Sequence, residues 1–477
     1  MVSSMAKEHP PKIARKDRVE IAGEQPAIGF EVDKQTWKDL DLFDNGRRGP
    51  VFALFNKVKT TGGGDALERM LRNPSNNRSM LEARLDTIRF FRDNDIDMQI
   101  GKEQLERVEH YLRCGIDIFP GSLLGAWWYT TRNQVKQTPQ YFIVTNGVRT
   151  TVSLLRHLFE QVAEWKEGDS PARLVGVLRG IEELIADKRV KTLLTGVSGP
   201  LRQMDLARCD HFFRRAGQSV LRQLLDLLYE WDACQSVALA ARQHDLCLPQ
   251  YHDGTKMGVT VRGLFHPLVA NAVANDHEMG EEANLCFISG ANMAGKSTFL
   301  KSFGLAMYLA HVGFPVPARF FETSIFNGLV TTVNLADSIS QGYSHFYAEV
   351  RRVKEVVQQI RDKRRMVVIF DELFRGTNVK DASDASLQVI DALAGIPGSL
   401  FMVSTHIVEI AEVLQDNPHI DFVCFASTME GGVPWYSYKI SSGVSDERTG
   451  MAILKDEGIL DLLAEIRSGH RGRRSGA

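Results

Sequence analysis

The distribution of apolar residues divides the chain into two parts. In the first part, apolar residues recur at helical spacing, as in residues 148–165 and again in 221–228. From Met257 onward, short continuous apolar runs alternate with stretches of helical pattern, which is typical of an α/β sheet with crossover helices. The pattern therefore predicts an α-helical domain followed by an α/β domain.

Three apolar runs of the second part predict buried parallel strands: Leu285–Ile288, Met366–Phe370 and Leu400–Ser404. Polar residues follow each of them directly. The first two runs can be neighbours in one doubly wound sheet, and ligands bind at the carboxyl ends of such strands. Two further runs, Phe422–Phe425 and Trp435–Tyr438, are joined by a glycine-rich segment and predict a hairpin.

The first of these strands leads into a glycine-rich segment that opens a helix. A strand, a glycine turn and a helix N-terminus form an arrangement whose backbone N–H groups cradle the phosphates of a nucleotide. Lys296 is expected to reach the β- and γ-phosphates, and the hydroxyl of Ser297 is expected to bind Mg²⁺. The predicted ATP-binding residues are Gly290, Ala291, Asn292, Met293, Ala294, Gly295, Lys296, Ser297 and Thr298.

Candidates for the chemistry of hydrolysis follow the second and third strands. Asp371 is expected to hold Mg²⁺, and Glu372 to polarise the attacking water. Taken alone, an Asp-Glu pair after an apolar run is more often part of a solvated loop. His406, at the tip of the third strand, is a candidate sensor of the γ-phosphate, although a lone histidine is usually a packed or surface residue.

Composition and charge restrict the class of protein. The chain has 477 residues and a net charge of −2, so any contact with DNA must use local basic patches. Its six cysteines include no Cys-x-x-Cys pair, which argues against zinc. Neither a signal peptide nor an apolar run long enough for a membrane helix is visible, so we expect a cytoplasmic, nucleoid-associated protein without membrane contact.

These motifs resemble those of the MutS family, the mismatch-repair ATPases of the ABC class. Asn292–Thr298 is similar to the family's phosphate loop, and Asp371–Thr377 to its Asp-Glu-x-x-Arg-Gly-Thr segment. Ser404–His406 matches a Ser-Thr-His switch, and Ser344 lies in a segment that resembles the family's signature. The resemblance implies that Ser344 meets the ATP of a partner subunit, so that a dimer forms two composite ATP sites through the ATPase domains. It also implies Lys296, Glu372 and His406 as catalytic residues.

The resemblance continues upstream and sets the expected domain boundaries. Lys59-Thr60 and Asp232 resemble parts of the family's core domain. We therefore expect a disordered tail in residues 1–35, a helical core or lever domain in 36–251, a P-loop ATPase domain in 252–465 and a flexible basic tail in 466–477.

The sequence also departs from the family pattern. Too few residues precede the core for the mismatch-recognition and connector domains, and the only Phe-x-Glu triplets, at Phe320 and Phe370, lie within the ATPase part. We therefore expect a short form that lacks both N-terminal domains. Ala272 stands where relatives have an aromatic residue near the adenine, which leaves open how the base is held.

Two functions remain compatible with the sequence. The first is an ATPase that couples hydrolysis to the binding of mismatched, branched or distorted duplex DNA in repair or recombination. The second is a nucleotide-switched protein that binds another repair subunit and does not touch DNA. The aromatic cluster Trp127–Tyr129 could stack on bases, but packing in a helical core is the more common role of such clusters.

Overall fold

The computed structural model describes residues 29–44, 47–94, 101–119, 139–165, 201–252, 257–333, 345–430, 433–445, 458–460 and 462–463. Several predictions concern residues outside these ranges. They are the signature residue Ser344, the cluster Trp127–Tyr129, and the tails in residues 1–28 and 466–477. Their roles stay predictions.

The first half of the described chain is mainly helical. Its helices are α1 (Lys34–Asp39), α2 (Pro50–Phe55), α3 (Thr61–Arg72), α4 (Arg78–Asn94), α5 (Lys102–Arg113), α6 (Pro139–Trp165), α7 (Gln203–Phe213) and α8 (Gln218–Gln243). A short hairpin, β2 (Phe43–Asp44) with β3 (Arg47–Arg48), lies between α1 and α2. The long helix α8 packs against both α3 and α4. Among the described helices of the whole chain, none is both long and apolar enough to cross a membrane.

One buried carboxylate fixes the start of α3. Asp232, on α8, accepts hydrogen bonds from the backbone N–H groups of Lys59 and Thr60 at 2.9 and 2.8 Å, and from the Thr60 hydroxyl at 2.6 Å. The Thr60 hydroxyl in turn accepts from the N–H of Gly63 and caps the helix. A Cβ atom at Gly63 would overlap the Asp232 carboxylate. This close approach explains why threonine and glycine occur here with this spacing.

The second half contains a seven-stranded sheet. Its strands, in spatial order, are β1 (Glu31–Val32), β9 (Gly328–Thr332), β10 (Met366–Asp371), β11 (Leu400–Ser404), β7 (Leu285–Gly290), β12 (Ile420–Glu430) and β13 (Val433–Ser442). All neighbours are parallel except β12 and β13, which form the predicted antiparallel hairpin.

The sheet order corrects one expectation. The strand of the phosphate loop, β7, and the strand that ends in Asp371, β10, are not neighbours, because β11 pairs with both of them. The polar ends of three adjacent strands therefore lie side by side, with Ser404 in the middle. Sheet order depends on long-range pairing, which the apolar pattern of a single strand does not encode.

A smaller four-stranded sheet accompanies the large one. It consists of β4 (Gln250–Tyr251), β8 (Phe320–Thr323), β5 (Gly258–Leu264) and β6 (Asn275–Gly280) in that spatial order. The remaining helices of this half are α9 (Lys296–Val312), α10 (His345–Lys363), α11 (Val379–Ala394) and α12 (Glu409–Leu414). α9 is buried along almost its entire length.

The segment that precedes the helical half is part of the large sheet. Glu31 and Val32 pair with β9, at the edge opposite the hairpin. The Asp39 carboxylate, at the end of α1, accepts from the Thr331 hydroxyl at 2.8 Å and from the N–H of Val333 at 2.9 Å. Residues 29–35, which the sequence analysis assigned to a disordered tail, thus form ordered structure, and the expected boundary at residue 36 divides a continuous unit.

The two halves share one hydrophobic core, and the last carbonyls of α9 join them directly. Helix C-termini leave carbonyl groups without partners inside the helix. Here groups from other parts of the chain bind them. The donors are the Tyr251 hydroxyl, the N–H of Ser75 and the guanidinium of Arg84, which bond to the carbonyls of Ala310, His311 and Val312 respectively.

Candidate nucleotide site

Two glycines shape the loop between β7 and α9. Gly290 has φ +136° and Gly295 has φ +110°, and side chains other than glycine rarely adopt these conformations. A Cβ atom at Gly290 would also lie 2.8 Å from the carbonyl oxygen of Phe425 on the neighbouring strand β12. The turn therefore requires glycine at the positions where the sequence pattern places it.

The start of α9 is open to an anion. Its N-cap, Gly295, offers no side chain to bind the first N–H groups of the helix. Ser297 and Thr298, in the first turn, are exposed. Unbonded N–H groups and the helix dipole together make such an end a site for phosphate.

Lys296 lies under the loop and is almost fully buried, with an exposed fraction of 5%. Its Nζ donates to the carbonyls of Gly290 at 2.7 Å and Ala291 at 3.0 Å. Burial lowers the pKa of this ammonium group, while the charges of Glu372 and Asp371 act in the opposite direction. The lysine is therefore held by the loop itself and faces two carboxylates.

A cavity of about 440 Å³ extends from the phosphate loop, within the size range of small-molecule sites. Its walls come from the loop, from residues 264–275 and from the hairpin. Of the predicted site residues, those that line it are Ala291, Asn292, Met293, Gly295, Lys296, Ser297, Thr298 and Glu372. Gly290 and Ala294 shape the loop from outside the cavity.

The predicted metal ligands have the chemistry of a magnesium site that uses few protein groups, but Ser297 lines the cavity and Asp371 does not. Mg²⁺ is usually bound by one or two protein oxygens together with phosphate and water. The Asp371 carboxylate, which accepts from the hydroxyl of Ser404, and the Ser297 hydroxyl supply such oxygens. Within the described residues no cluster of three or more metal-binding side chains occurs. The site therefore has no preformed cage, and Mg²⁺ would depend on the phosphates.

The segment after Asp371 is a strained turn. Glu372 and Phe374 have φ values of +58° and +59°. The left-handed conformation costs a residue other than glycine roughly 1–2 kcal/mol. The N–H of Glu372 donates to the carbonyl of Ser404 at 3.0 Å, and its carboxylate lies 3.1 Å from Nη1 of Arg375. Strain of this kind persists only where surrounding contacts support it.

The structure does not bring His406 into the cavity. Its side chain is exposed and is not part of the lining. The preceding residue, Thr405, is buried, and its N–H donates to the carbonyl of Ile288 on β7. The role of His406 as a sensor therefore stays a prediction.

Sequence reasoning missed Tyr438. This residue of β13 lines the same cavity as Ala272, Val273 and His266, and its ring lies next to Gly295 of the loop. Asn275, at the start of β6, connects that strand to β13. Its Nδ2 donates to the Tyr438 carbonyl at 3.0 Å, and its Oδ1 accepts from the N–H of Ile440 at 2.9 Å. The hairpin was predicted, but only its place beside the loop brings this tyrosine to the cavity.

His266, two residues after the end of β5, also lines the cavity. Burial lowers the pKa of its imidazole, and the charge of Lys301 acts in the same direction, against Asp41. Burial therefore favours the uncharged imidazole, which can contact a ligand or act as a hydrogen-bonding partner.

A parallel sheet, a glycine loop, a lysine at the start of a buried helix and an acidic strand end define a P-loop nucleotide-binding domain. Residues 286–465 match the family MutS domain V, which is the ATPase domain of MutS proteins. This segment is therefore similar to the ATPase domain of the MutS family, and the resemblance inferred from the motifs is confirmed.

Curated relatives agree with this assignment. The chain is 28% identical to the DNA mismatch repair protein MutS of Lactococcus lactis subsp. cremoris (strain SK11), over 51% of the chain and 30% of that protein. It is 25% identical to the MutS protein of Thermosipho melanesiensis, over 74% of the chain and 39% of that protein. The chain thus spans about a third of the length of the curated relatives that it matches.

Proposed function

We propose that this protein is a MutS-like ATPase that couples ATP hydrolysis to the binding of mismatched, branched or distorted duplex DNA. The observation that carries the proposal is the cavity at the open end of α9, which brings Lys296 and Glu372 together. The names of the curated relatives support a place in DNA mismatch repair.

Each residue has a separate task in this mechanism. The N–H groups of the loop and the first turn of α9 bind the phosphates, and Lys296 exchanges its two carbonyl partners for phosphate oxygens. Ser297 and Asp371 would hold Mg²⁺, which would neutralise charge on the phosphates. Glu372 orients the attacking water and accepts its proton. We place the base against Tyr438, His266 and Ala272, which all line the cavity, so that Tyr438 would supply the aromatic surface that Ala272 lacks.

Coupling to DNA requires a connection between the cavity and the helical half. The helix α9 supports such a connection, because its first turn faces the cavity and its last carbonyls bond to Ser75 and Arg84. A second copy of the chain would complete each site through Ser344, as the resemblance implies.

The substitution Glu372→Gln tests the assignment of the base. Glutamine keeps the size of the side chain but cannot accept the proton of water. We expect turnover of ATP to fall by a factor on the order of one hundred or more, with the Kd for ATP nearly unchanged. A phosphate-release assay and a titration with a fluorescent ATP analogue measure the two quantities. Glu412→Gln, an exposed change in the same half, serves as the control.

If Glu372→Gln hydrolysed ATP at the rate of the parent protein, the assignment of the base would be wrong. If the parent protein bound no ATP in calorimetry, the proposed function itself would fail.

The net charge of −2 favours a second candidate, a nucleotide-switched protein that binds another repair subunit without touching DNA. A gel-shift titration against linear, mismatched and four-way duplexes, with and without ATP, separates the two. Structure-selective binding that weakens with salt supports the DNA-binding function. Absence of binding at low salt supports the second candidate.

A further inference from the structure

The carboxylate of Glu349 lies in the first turns of α10, next to the strained turn that follows Asp371. Its side chain is only 9% exposed. It faces the backbone N–H groups of Arg375 and Gly376 at 3.3 and 3.2 Å, and Nδ1 of His345 at 3.3 Å. A buried carboxylate is costly unless donors surround it. Two of its donors belong to the turn.

Two further contacts bind the same turn to the same helix. A Cβ atom at Gly376 would overlap the backbone N of Phe346, so the turn approaches the start of α10 as closely as glycine permits. The rings of Phe346 and Phe374 pack edge to face, with centroids 5.8 Å apart. The segment from Glu372 to Gly376 and the first turns of α10 therefore form one packed unit.

Arg375 connects Glu349 to Glu372. Glu349 holds the backbone of Arg375, and the guanidinium of Arg375 lies 3.1 Å from the Glu372 carboxylate. The left-handed conformations at Glu372 and Phe374 require support from outside the turn. Glu349 supplies this support without lining the cavity.

We propose that Glu349 is a positioning residue for the hydrolysis of ATP, which fixes the Glu372 carboxylate at the cavity by holding the N–H groups of Arg375 and Gly376. The inference rests on the proposed function, in which Glu372 orients the attacking water. It assigns to α10 a task inside its own subunit, separate from the contact that Ser344 would make with a partner.

The experiment compares Glu349→Ala and Glu349→Gln with the parent chain. A general base that is misplaced by about 1 Å can lose a large part of its effect, so we expect kcat of the alanine variant to fall on the order of tenfold or more. The Kd for ATP should change by less than about threefold, because the phosphate contacts are untouched. Glutamine keeps one acceptor oxygen, so its kcat should lie between those of the alanine variant and the parent.

Glu355→Ala is the matched control, since Glu355 lies on the same helix and its side chain is 51% exposed. Its kcat and Kd should equal those of the parent. If the alanine variant does not fold, the kcat of the glutamine variant tests the positioning role, provided that the melting temperature of this variant matches that of the parent.

Unchanged kcat in the folded variants would overturn the inference, as would a loss of ATP affinity as large as the loss of kcat. Failure of the positioning role of Glu349 can be distinguished from failure of the proposed function. If Glu372→Gln abolishes turnover while the Glu349 variants keep it, only the positioning role is wrong. If Glu372→Gln also keeps turnover, the assignment of the base is wrong.

Discussion

Lys296 illustrates how a single residue prepares the site for a nucleotide. Its ammonium group already makes two hydrogen bonds to carbonyls of its own loop, at 2.7 and 3.0 Å. Burial lowers its pKa, so the site favours any ligand that brings negative charge to it. A triphosphate binds the Lys296 ammonium group better than the neutral carbonyls do, because hydrogen bonds between charged groups are the stronger ones.

On the cavity wall that the hairpin supplies, we predict that Tyr438 binds the base by stacking. Tyr438→Ala should raise the Kd for ATP by roughly tenfold, since the stacking of an aromatic side chain on a base contributes about 1–3 kcal/mol. Tyr438→Phe keeps the ring and should bind as the parent does. Fluorescence titration with an ATP analogue measures both affinities.

Trp435→Ala is the control for this prediction, because Trp435 lies on the same strand, is 51% exposed and does not line the cavity. Equal losses of affinity in Tyr438→Ala and Tyr438→Phe would show that the hydroxyl group, and not stacking, matters.

At the scale of elements, α9 has different partners at its two ends. Its 17 residues span about 26 Å at the usual rise per residue. The first turn faces the cavity, and the last two carbonyls accept hydrogen bonds from Ser75 and Arg84 of the helical half. If α9 tilts as a rigid body when phosphates bind, these bonds would carry the movement to α3 and α4. The hydrogen bonds to the Asp232 carboxylate, by comparison, fix the start of α3 to α8 within the helical half.

We predict that the bond between the Arg84 guanidinium and the Val312 carbonyl stabilises this junction. Arg84→Met keeps most of the apolar stem and removes the donor. The free energy of unfolding should fall by about 1–3 kcal/mol, the usual range for a hydrogen bond to a charged group. Urea denaturation followed by circular dichroism measures the change.

Arg89→Met provides the comparison, because Arg89 lies on the same helix and its side chain is 49% exposed. Its stability should stay within about 0.5 kcal/mol of the parent. A loss in Arg84→Met no larger than in Arg89→Met would contradict the role of this bond.

For the whole molecule, we predict that ATP joins two copies. Glu372→Gln traps ATP, so this variant should elute as a dimer with ATP and Mg²⁺ and as a monomer with ADP. Adding Ser344→Arg should keep it monomeric, since a bulky cation would fill the place where the partner's nucleotide is expected. Light scattering coupled to size-exclusion chromatography measures the mass. A dimer that forms equally well without nucleotide would contradict the prediction.

The sequence predicted the parts of the fold that depend on local pattern. The strand Leu400–Ser404 has the bounds that its apolar run indicated, and the hairpin of β12 and β13 was also expected. Features that depend on distant pairing were missed, namely the position of β11 between β7 and β10. The strand Glu31–Val32 is too short to carry an alternating pattern at all.

The same limit applies to the candidate site. The glycine loop was predicted because its geometry requires particular residues at fixed spacing, as the φ values of Gly290 and Gly295 show. Tyr438 and Glu349 were not assigned these tasks, since an aromatic residue in a strand and a glutamate in a helix have many ordinary roles. Only their three-dimensional neighbours distinguish them.

The strand β1 has a practical consequence for dividing the protein. A fragment that starts at residue 252 would leave β9 as an open edge, with the N–H and C=O groups that Glu31 and Val32 cover unpaired. Uncovered edges of this kind recruit strands from other molecules. Such a fragment would tend to aggregate through this edge and through the core surface that the helical half covers, so supplying residues 29–44 as a separate peptide should reduce aggregation only in part.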